Sequence, residues 1–395
     1  MVSLSHPHRS GKALSCCTFP SGSGLDSHLL FPSMRAPAGG ASATALAAAM
    51  NIKQPLHGAS TLFALLSLSL LLLRLLLRLR LAAFRDAALS LHLLARLRLR
   101  PVLLCLPSAC HDGGAGAGAT TLRVWCPAAP SSKPPLLLLH GFGGDAKWTW
   151  ARNLPRLSRH FHVYVPDLVF FGAQSRSASP LRSVAFQARC AAEAMRLLGV
   201  PRYDVAGISY GGFVAYRMAA MFPDFLHRVA LVCAGVCLEE RDLAEGLFPV
   251  AGIGEAAALL VPHRPEEVRR LVRLTFARPP LIMPSCFLWD YIKVMGSDHI
   301  QEKAELLYAL INGRQLCTLP KLTQPTLIIW GEQDRVFPME LAHRLNRHLE
   351  GNSRLVVIKN AGHAVNIEKP KEVCRSIIEF FKEPVAGAAN ADDKV

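Results

Sequence analysis

The sequence predicts an α/β protein whose mostly parallel sheet carries helices on both faces and a helical insertion late in the chain. Three observations lead there. Short apolar runs at residues 122–126, 136–139, 162–165, 203–206, 229–233, 326–330 and 355–358 are rich in Val, Ile and Leu. They read as strands buried on both faces, the signature of a parallel sheet covered on each side. Segments such as 183–198 and 370–381 lie between them and repeat their apolar residues at helical spacing, so strand and helix alternate. From 237 to 319 the alternation stops and only helical patterns remain, too long a stretch for a loop.

Taken in order, residues 1–59 are rich in Ser, Ala, Gly and Pro and read as a disordered or targeting leader. Residues 60–120 read as a Leu/Arg-rich helical segment followed by a Gly/Ala linker. The uncharged apolar stretch there, 62–73, is shorter than the roughly 20 residues that span a bilayer. Arg74, Arg78 and Arg85 fall on one helical stripe, the arrangement of a helix lying in a membrane interface with its cations toward phosphate. A spanning helix would leave the C-terminal part cytoplasmic by its flanking arginines. Membrane association and organelle targeting are therefore the two localisations expected. Residues 121–236 and 320–383 form the predicted α/β core, 237–319 a helical cap and 384–395 a flexible tail.

Composition narrows the function classes. Half of the 395 residues are hydrophobic (51%), enough for a sizeable core. Eleven cysteines without metal-ligand spacing read as reduced thiols, giving neither a disulfide framework nor a metal site. The net charge of +15 invites an anionic partner. However, residues 1–120 hold 11 Lys and Arg against 3 acids, so more than half the excess sits in under a third of the chain. That distribution, with no aromatic–basic interleaving, argues against nucleic acid as a partner. It leaves a membrane surface through residues 60–100; oligomeric state is open.

Gly207-Ile208-Ser209-Tyr210-Gly211 follows the predicted strand 203–206 and opens a predicted helix at 213–221. A turn this tight forces the serine into strained dihedrals and leaves no room for side chains two positions away, so glycines must flank it. The serine hydroxyl then stands clear of the sheet at a helix N-terminus, placed to act as a nucleophile. His363, after the last strand, supplies the base. Asp334, just past strand 326–330, is the expected partner of the histidine. Glu332 is its rival; Asp334 is preferred because a short carboxylate on the turn before Pro338 can also accept backbone amides. The loop His140-Gly141-Phe142-Gly143-Gly144-Asp145 lets its backbone approach a ligand, and the Phe142 and Tyr210 amides are the expected oxyanion donors. Asp167 reads as an organiser of hydrogen bonds in its turn.

In chain order these segments are HGFGGD, VPD-x5-GAQS, AGISYGG, GEQD and NAGHAVNIEKP. From 122 to 382 they resemble the α/β-hydrolase family, in particular its plant serine-hydrolase branch, similar to monoacylglycerol-lipase-like and C–C-bond hydrolases. The resemblance implies a mostly parallel eight-stranded sheet with the helical cap inserted after the sixth strand. It also implies nucleophile, acid and base at Ser209, Asp334 and His363, with no cofactor and no metal. The first 120 residues lie outside the resemblance. The expected activity is hydrolysis of carboxylic esters of an apolar acyl group, a monoacylglycerol among them, with a small-molecule ester or lipid as the partner. Gly141, Phe287 and Trp289 are the expected substrate contacts, with Leu288, Tyr291 and Met295 completing an apolar cap face. Two alternatives stand beside this reading: a C–C-bond hydrolase of the meta-cleavage type, which would need cationic pocket groups, and a slow-turnover small-molecule receptor with an intact triad.

Overall fold

A computed structural model of the chain describes residues 62–63, 65–70, 80–107, 119–248, 250 and 252–383. The leader, Arg74 and Arg78, almost all of the Gly/Ala linker and the tail lie outside them. Compactness divides the chain into Met1–Leu66 and Ser67–Val395. In the first unit, Leu62, Phe63, Leu65 and Leu66 are described, and all four are exposed. All that follows concerns the second unit.

The strands are β1 (Leu99–Leu106), β2 (Thr120–Pro127), β3 (Pro135–Leu139), β4 (His162–Pro166), β5 (Arg176–Ser177), β6 (Tyr203–Ile208), β7 (Leu226–Val232), β8 (Thr326–Gly331) and β9 (Ser353–Ile358). They form one sheet in the order β1-β2-β4-β3-β6-β7-β8-β9, with the two-residue β5 pairing at the side of β2. From β4 through β9 every pairing along that path is parallel, whereas β2 pairs antiparallel with β1, β4 and β5. The period of two explains the continuous apolar runs. Leu137, Leu139, Val205, Leu231, Ile328 and Trp330 enter one core, while Leu136, Leu138, Ala206, Val232, Leu327 and Ile329 enter another on the opposite face.

Among residues 80–383 the α-helices of five residues or more are α1 (Leu81–Ala95), α2 (Ala146–Trp150), α3 (Val184–Leu197), α4 (Tyr210–Met221), α5 (Ile253–Leu260), α6 (Pro265–Thr275), α7 (Ser285–Tyr291), α8 (Ile300–Ile311), α9 (Met339–His348) and α10 (Pro370–Lys382). Their starts follow local chemistry. Asp145 accepts the Trp148 amide at the head of α2 and Ser183 the Phe186 amide at the head of α3. Pro265 opens α6, where Glu267 reaches back to the Arg264 amide. Helices α3, α4 and α9 cover one face of the sheet; α1, α2 and α10 cover the other. With β5 set aside, the α5–α8 insertion follows the sixth strand, β7.

One expectation is corrected. Residues 99–106, read as part of a helical segment, are the strand β1, so the sheet begins at Leu99 and not at the expected residue 121. Arg98 adopts φ 53°, which ends the helical path after α1. Pro101, excluded from a helix interior, is tolerated on an edge strand, and all eight residues register against β2 from Leu99↔Pro127 to Leu106↔Thr120. No helix among the described residues is long and apolar enough to cross a membrane.

Candidate active site

Strand β6 ends at Ile208 and α4 begins at Tyr210, so Ser209 alone makes the turn, at φ 51° and ψ −121°. The flanking glycines are sterically required. A Cβ on Gly207 would lie 2.2 Å from the Gly211 carbonyl oxygen, and one on Gly211 would lie 2.5 Å from those of Leu139 and His140. Gly212 leaves room for Ala234 in the same way.

Ser209 Oγ is 2.9 Å from His363 Nε2, and His363 Nδ1 is 2.8 Å from Asp334 Oδ2. The other carboxylate oxygen, Asp334 Oδ1, accepts the Val336 and Phe337 amides at 2.8 Å each. Glu332 points elsewhere: its Oε2 accepts the Asn360 amide at 3.1 Å, bracing the loop that carries His363. The acid and histidine loops cross where Gly331 meets Gly362, since a Cβ on Gly331 would sit 2.2 Å from the Gly362 carbonyl oxygen. Glu368 then clamps the histidine loop to the chain leaving α6, accepting the amides of Gly362 (2.7 Å) and Ala277 (3.2 Å).

Gly141 lies directly against Ser209; a Cβ there would be 3.2 Å from Ser209 Cβ. Among the described residues neither the Phe142 nor the Tyr210 amide donates to a protein acceptor. Tyr210 is the first residue of α4, where an amide has no partner within the helix. His140 controls the other peptide. Its Nε2 accepts the Leu168 amide at 2.9 Å, so the proton sits on Nδ1 and is donated to the Gly141 carbonyl at 2.8 Å. In a trans peptide the Phe142 N–H must then point the opposite way, away from the His140 ring. Burial holds His140 neutral by pulling its pKa down to about 4. Asp167 braces the same loop through the Ala146 amide (2.9 Å) and Arg123.

Cys233, at φ 44° at the end of β7, escaped the sequence reading. Its Sγ and donor atoms of Asp334 and His363 all lie within 4.8 Å of one another. Burial first, and the Asp334 charge next, push its pKa far up, so the thiol keeps its proton and is a poor metal ligand.

Of the expected substrate contacts Gly141 meets Ser209, whereas Phe287 and Trp289 lie apart from an apolar chamber near these groups. Leu238, Leu243, Phe248, Leu271, Leu310 and Phe337 line that chamber with other aliphatic side chains. Phe337 links it to the site, its ring centroid 5.4 Å from that of His363. Phe287 instead packs in a separate cluster with Val268, Leu288 and Ile292, and Trp289 is exposed on α7. Two positions apart on a helix of 3.6 residues per turn, Phe287 and Trp289 point to roughly opposite sides of α7. The aliphatic lining gave no sequence signal distinct from ordinary core.

A family model described as alpha/beta hydrolase fold matches residues 134–370. The chain belongs to the alpha/beta hydrolase fold family. Monoacylglycerol lipase ABHD6 of Mus musculus is 27% identical over 276 residues, 67% of this chain and 79% of that protein. A 2-hydroxy-6-oxo-2,4-heptadienoate hydrolase of Pseudomonas putida is 30% identical over 257 residues, 62% and 88% of the two chains. Among solved structures, a membrane phospholipase A described as a bacterial virulence factor matches with a TM-score of 0.59 and 26% identity, over 82% of this chain and 97% of that one. A likeness to the plant branch in particular has no support among these relatives.

Proposed function

We propose that this alpha/beta hydrolase cleaves carboxylic esters of an apolar acyl group. The observation that carries the reading is the unbroken chain Ser209 Oγ–His363–Asp334, at 2.9 and 2.8 Å, beside two amides without acceptors among the described residues. In this reading His363 Nε2 takes the Ser209 proton as Oγ attacks the acyl carbon, and the Phe142 and Tyr210 amides hold the oxyanion. The imidazolium, stabilised by Asp334, returns the proton to the leaving alcohol. Water activated by His363 then releases the acid and restores Ser209. The α5–α8 insertion acts as a cap, and the apolar chamber behind Phe337 receives the acyl chain.

The chamber's lining also weighs between substrates. The P. putida relative favours a C–C hydrolase as the second reading, and an acidic substrate would call for cations in the pocket. None lines the chamber, and the cap's Arg269 and Arg270 are engaged with Glu266 and Glu255. A monoacylglycerol suits it better, in keeping with the ABHD6 relative.

A lipid substrate agrees with the outward face of α1. Leu81, Phe84, Ala87, Ala88, Leu91, Leu94 and Ala95 are all exposed, and Arg96, Arg98 and Arg100 follow, also exposed. An apolar helix face ending in cations fits an anionic bilayer surface.

The deciding experiment labels the full chain with a fluorophosphonate probe and then measures steady-state turnover on a panel of monoacylglycerols, p-nitrophenyl esters and a vinylogous diketone. Labelling at Ser209 with multiple ester turnovers supports the reading. Preferential turnover of the diketone would replace it with the C–C hydrolase, and a single burst with lasting adduct would replace it with a receptor.

A further inference from the structure

Helix α1 lies outside residues 134–370, yet it is wired to the loop that faces Ser209. We infer that Asp86 on α1 is a positioning residue for the oxyanion loop; this rests on the ester-hydrolase reading of that loop. The inward side of α1 carries polar groups beneath its apolar outer face. Asp86 Oδ1 is 2.7 Å from Lys147 Nζ and accepts the Trp148 indole N–H at 2.9 Å, while Oδ2 accepts Lys147 Nζ at 2.8 Å. Ser90, one turn on, accepts from Lys147 at 3.2 Å. Lys147 is 4% exposed, so its charge is compensated almost wholly within the protein, by Asp86 and by Asp145 at 3.5 Å.

Lys147 and Trp148 stand in the first turn of α2, directly behind the loop that contains Gly141 and Phe142. The loop is held from three sides. Asp145 caps α2 and Asp167 accepts the Ala146 amide. From the cap, the Tyr291 hydroxyl donates to the Gly143 carbonyl, and its ring meets Trp148 edge-on at 5.7 Å. From α1, Asp86 holds Lys147 and Trp148, and Arg85 covers the Trp148 ring at 4.7 Å. The cap grips α1 in turn: Asp290 Oδ2 accepts the Ala82 and Ala83 amides at 2.7 and 3.1 Å, capping a helix with no acid of its own in its first turn. Helix α1, cap and oxyanion loop thus share one network whose central carboxylate is Asp86. Its loss strands the buried Lys147 charge and frees the indole behind the loop, displacing the Phe142 amide from Ser209 without touching the acyl chamber.

The test compares wild type with Asp86→Ala, Asp86→Asn and Trp148→Phe as full chains. For Asp86→Ala we expect kcat on a p-nitrophenyl ester to fall roughly 10-fold or more while KM stays within about twofold. The inhibition constant of a trifluoromethyl ketone, whose hemiketal oxyanion needs the same amides, should rise in parallel with the loss in kcat/KM. Asp86→Asn, which keeps an acceptor for the indole, should recover part of the loss. Trp148→Phe removes only the indole donor and should show the same kcat-only effect, so the inference stays testable if Asp86→Ala does not fold. A thermal-stability change with kcat and ketone affinity unmoved would overturn it. Absence of fluorophosphonate labelling at Ser209 in wild type would instead overturn the underlying reading.

Discussion

The backbone amide of Leu168 donates to Nε2 of His140, and this one bond decides which way the Gly141–Phe142 peptide faces. A backbone N–H can only donate, so the imidazole keeps its proton on Nδ1 and turns the Gly141 carbonyl toward itself. His140→Ala should lower kcat roughly 10- to 100-fold with a smaller change in KM. Because His140 stays neutral down to about pH 4, the shape of the pH–rate profile between pH 5 and 9 should not change. A displaced limb in that range would show that His140 itself titrates during turnover.

The choice between the two acids near β8 can be read kinetically. Asp334→Asn should cost up to about 10⁴ in kcat, as expected when the histidine loses its tautomer control. Glu332→Gln should keep kcat within a few-fold, because Glu332 holds the Asn360 amide and not His363. Equal losses in the two variants would contradict the assignment. Ser209→Ala, with the nucleophile gone, should abolish both fluorophosphonate labelling and ester turnover.

Glycines separate steric need from conformational preference. Gly207→Ala places a methyl 2.2 Å from a backbone carbonyl oxygen and should yield little folded, active protein. Gly199, at φ 73° with nothing within 4 Å, needs only the left-handed conformation. Gly199→Ala should therefore cost about 1–2 kcal/mol in urea unfolding and leave kcat untouched.

Asp204 on β6 sets part of the pH dependence of stability. Burial pushes its pKa up to about 7, with Arg228 opposing, and its Oδ1 has no hydrogen-bond partner among the described residues. Between about pH 4 and 7 the folded state therefore keeps a proton that the unfolded state has lost, so this group makes stability fall as pH rises. His140 acts in the opposite sense, since its folded pKa is depressed and stability is lost as pH drops from about 6.5 toward 4. Asp204→Asn should raise Tm more at pH 8 than at pH 5, a difference readable by scanning calorimetry. A Tm gain independent of pH would count against a charged Asp204 at high pH.

The acyl-binding role proposed for the chamber predicts a length limit. Leu310→Trp should raise KM for long-chain monoacylglycerols several-fold and spare short esters, because Leu310 lines the chamber and not the Ser209–His363 pair. A uniform loss across the panel would argue that the acyl chain lies elsewhere.

Legibility in the sequence varied with how local the determining physics was. The seven apolar runs were readable because a strand buried on both faces needs continuous hydrophobicity over a few adjacent residues. The elbow was readable because Gly207, Ser209 and Gly211 meet their constraint within five positions. β1 was not: it continues the Leu-rich composition of the helix before it, Pro101 is its one local sign against a helix interior, and pairing with β2 selects the strand. Cys233 gave no signal either, since its closeness to Asp334 and His363 joins the ends of strands far apart in sequence.

What the sequence determined by itself, then, was the strands β2 to β4 and β6 to β9, the helical insertion and the strand-end positions of Ser209, His363 and Asp334, all of them local properties. Tertiary structure alone decided three things. It chose aliphatic residues from α5, α6, α8 and the Phe337 turn, in place of Phe287 and Trp289, to line the chamber. It fixed the His140 tautomer through an amide 28 residues away, and it tied Asp86 to Lys147 across 61. The physical reason is common to all three: hydrogen-bond direction and burial depend on which surfaces meet, and no local pattern records that meeting.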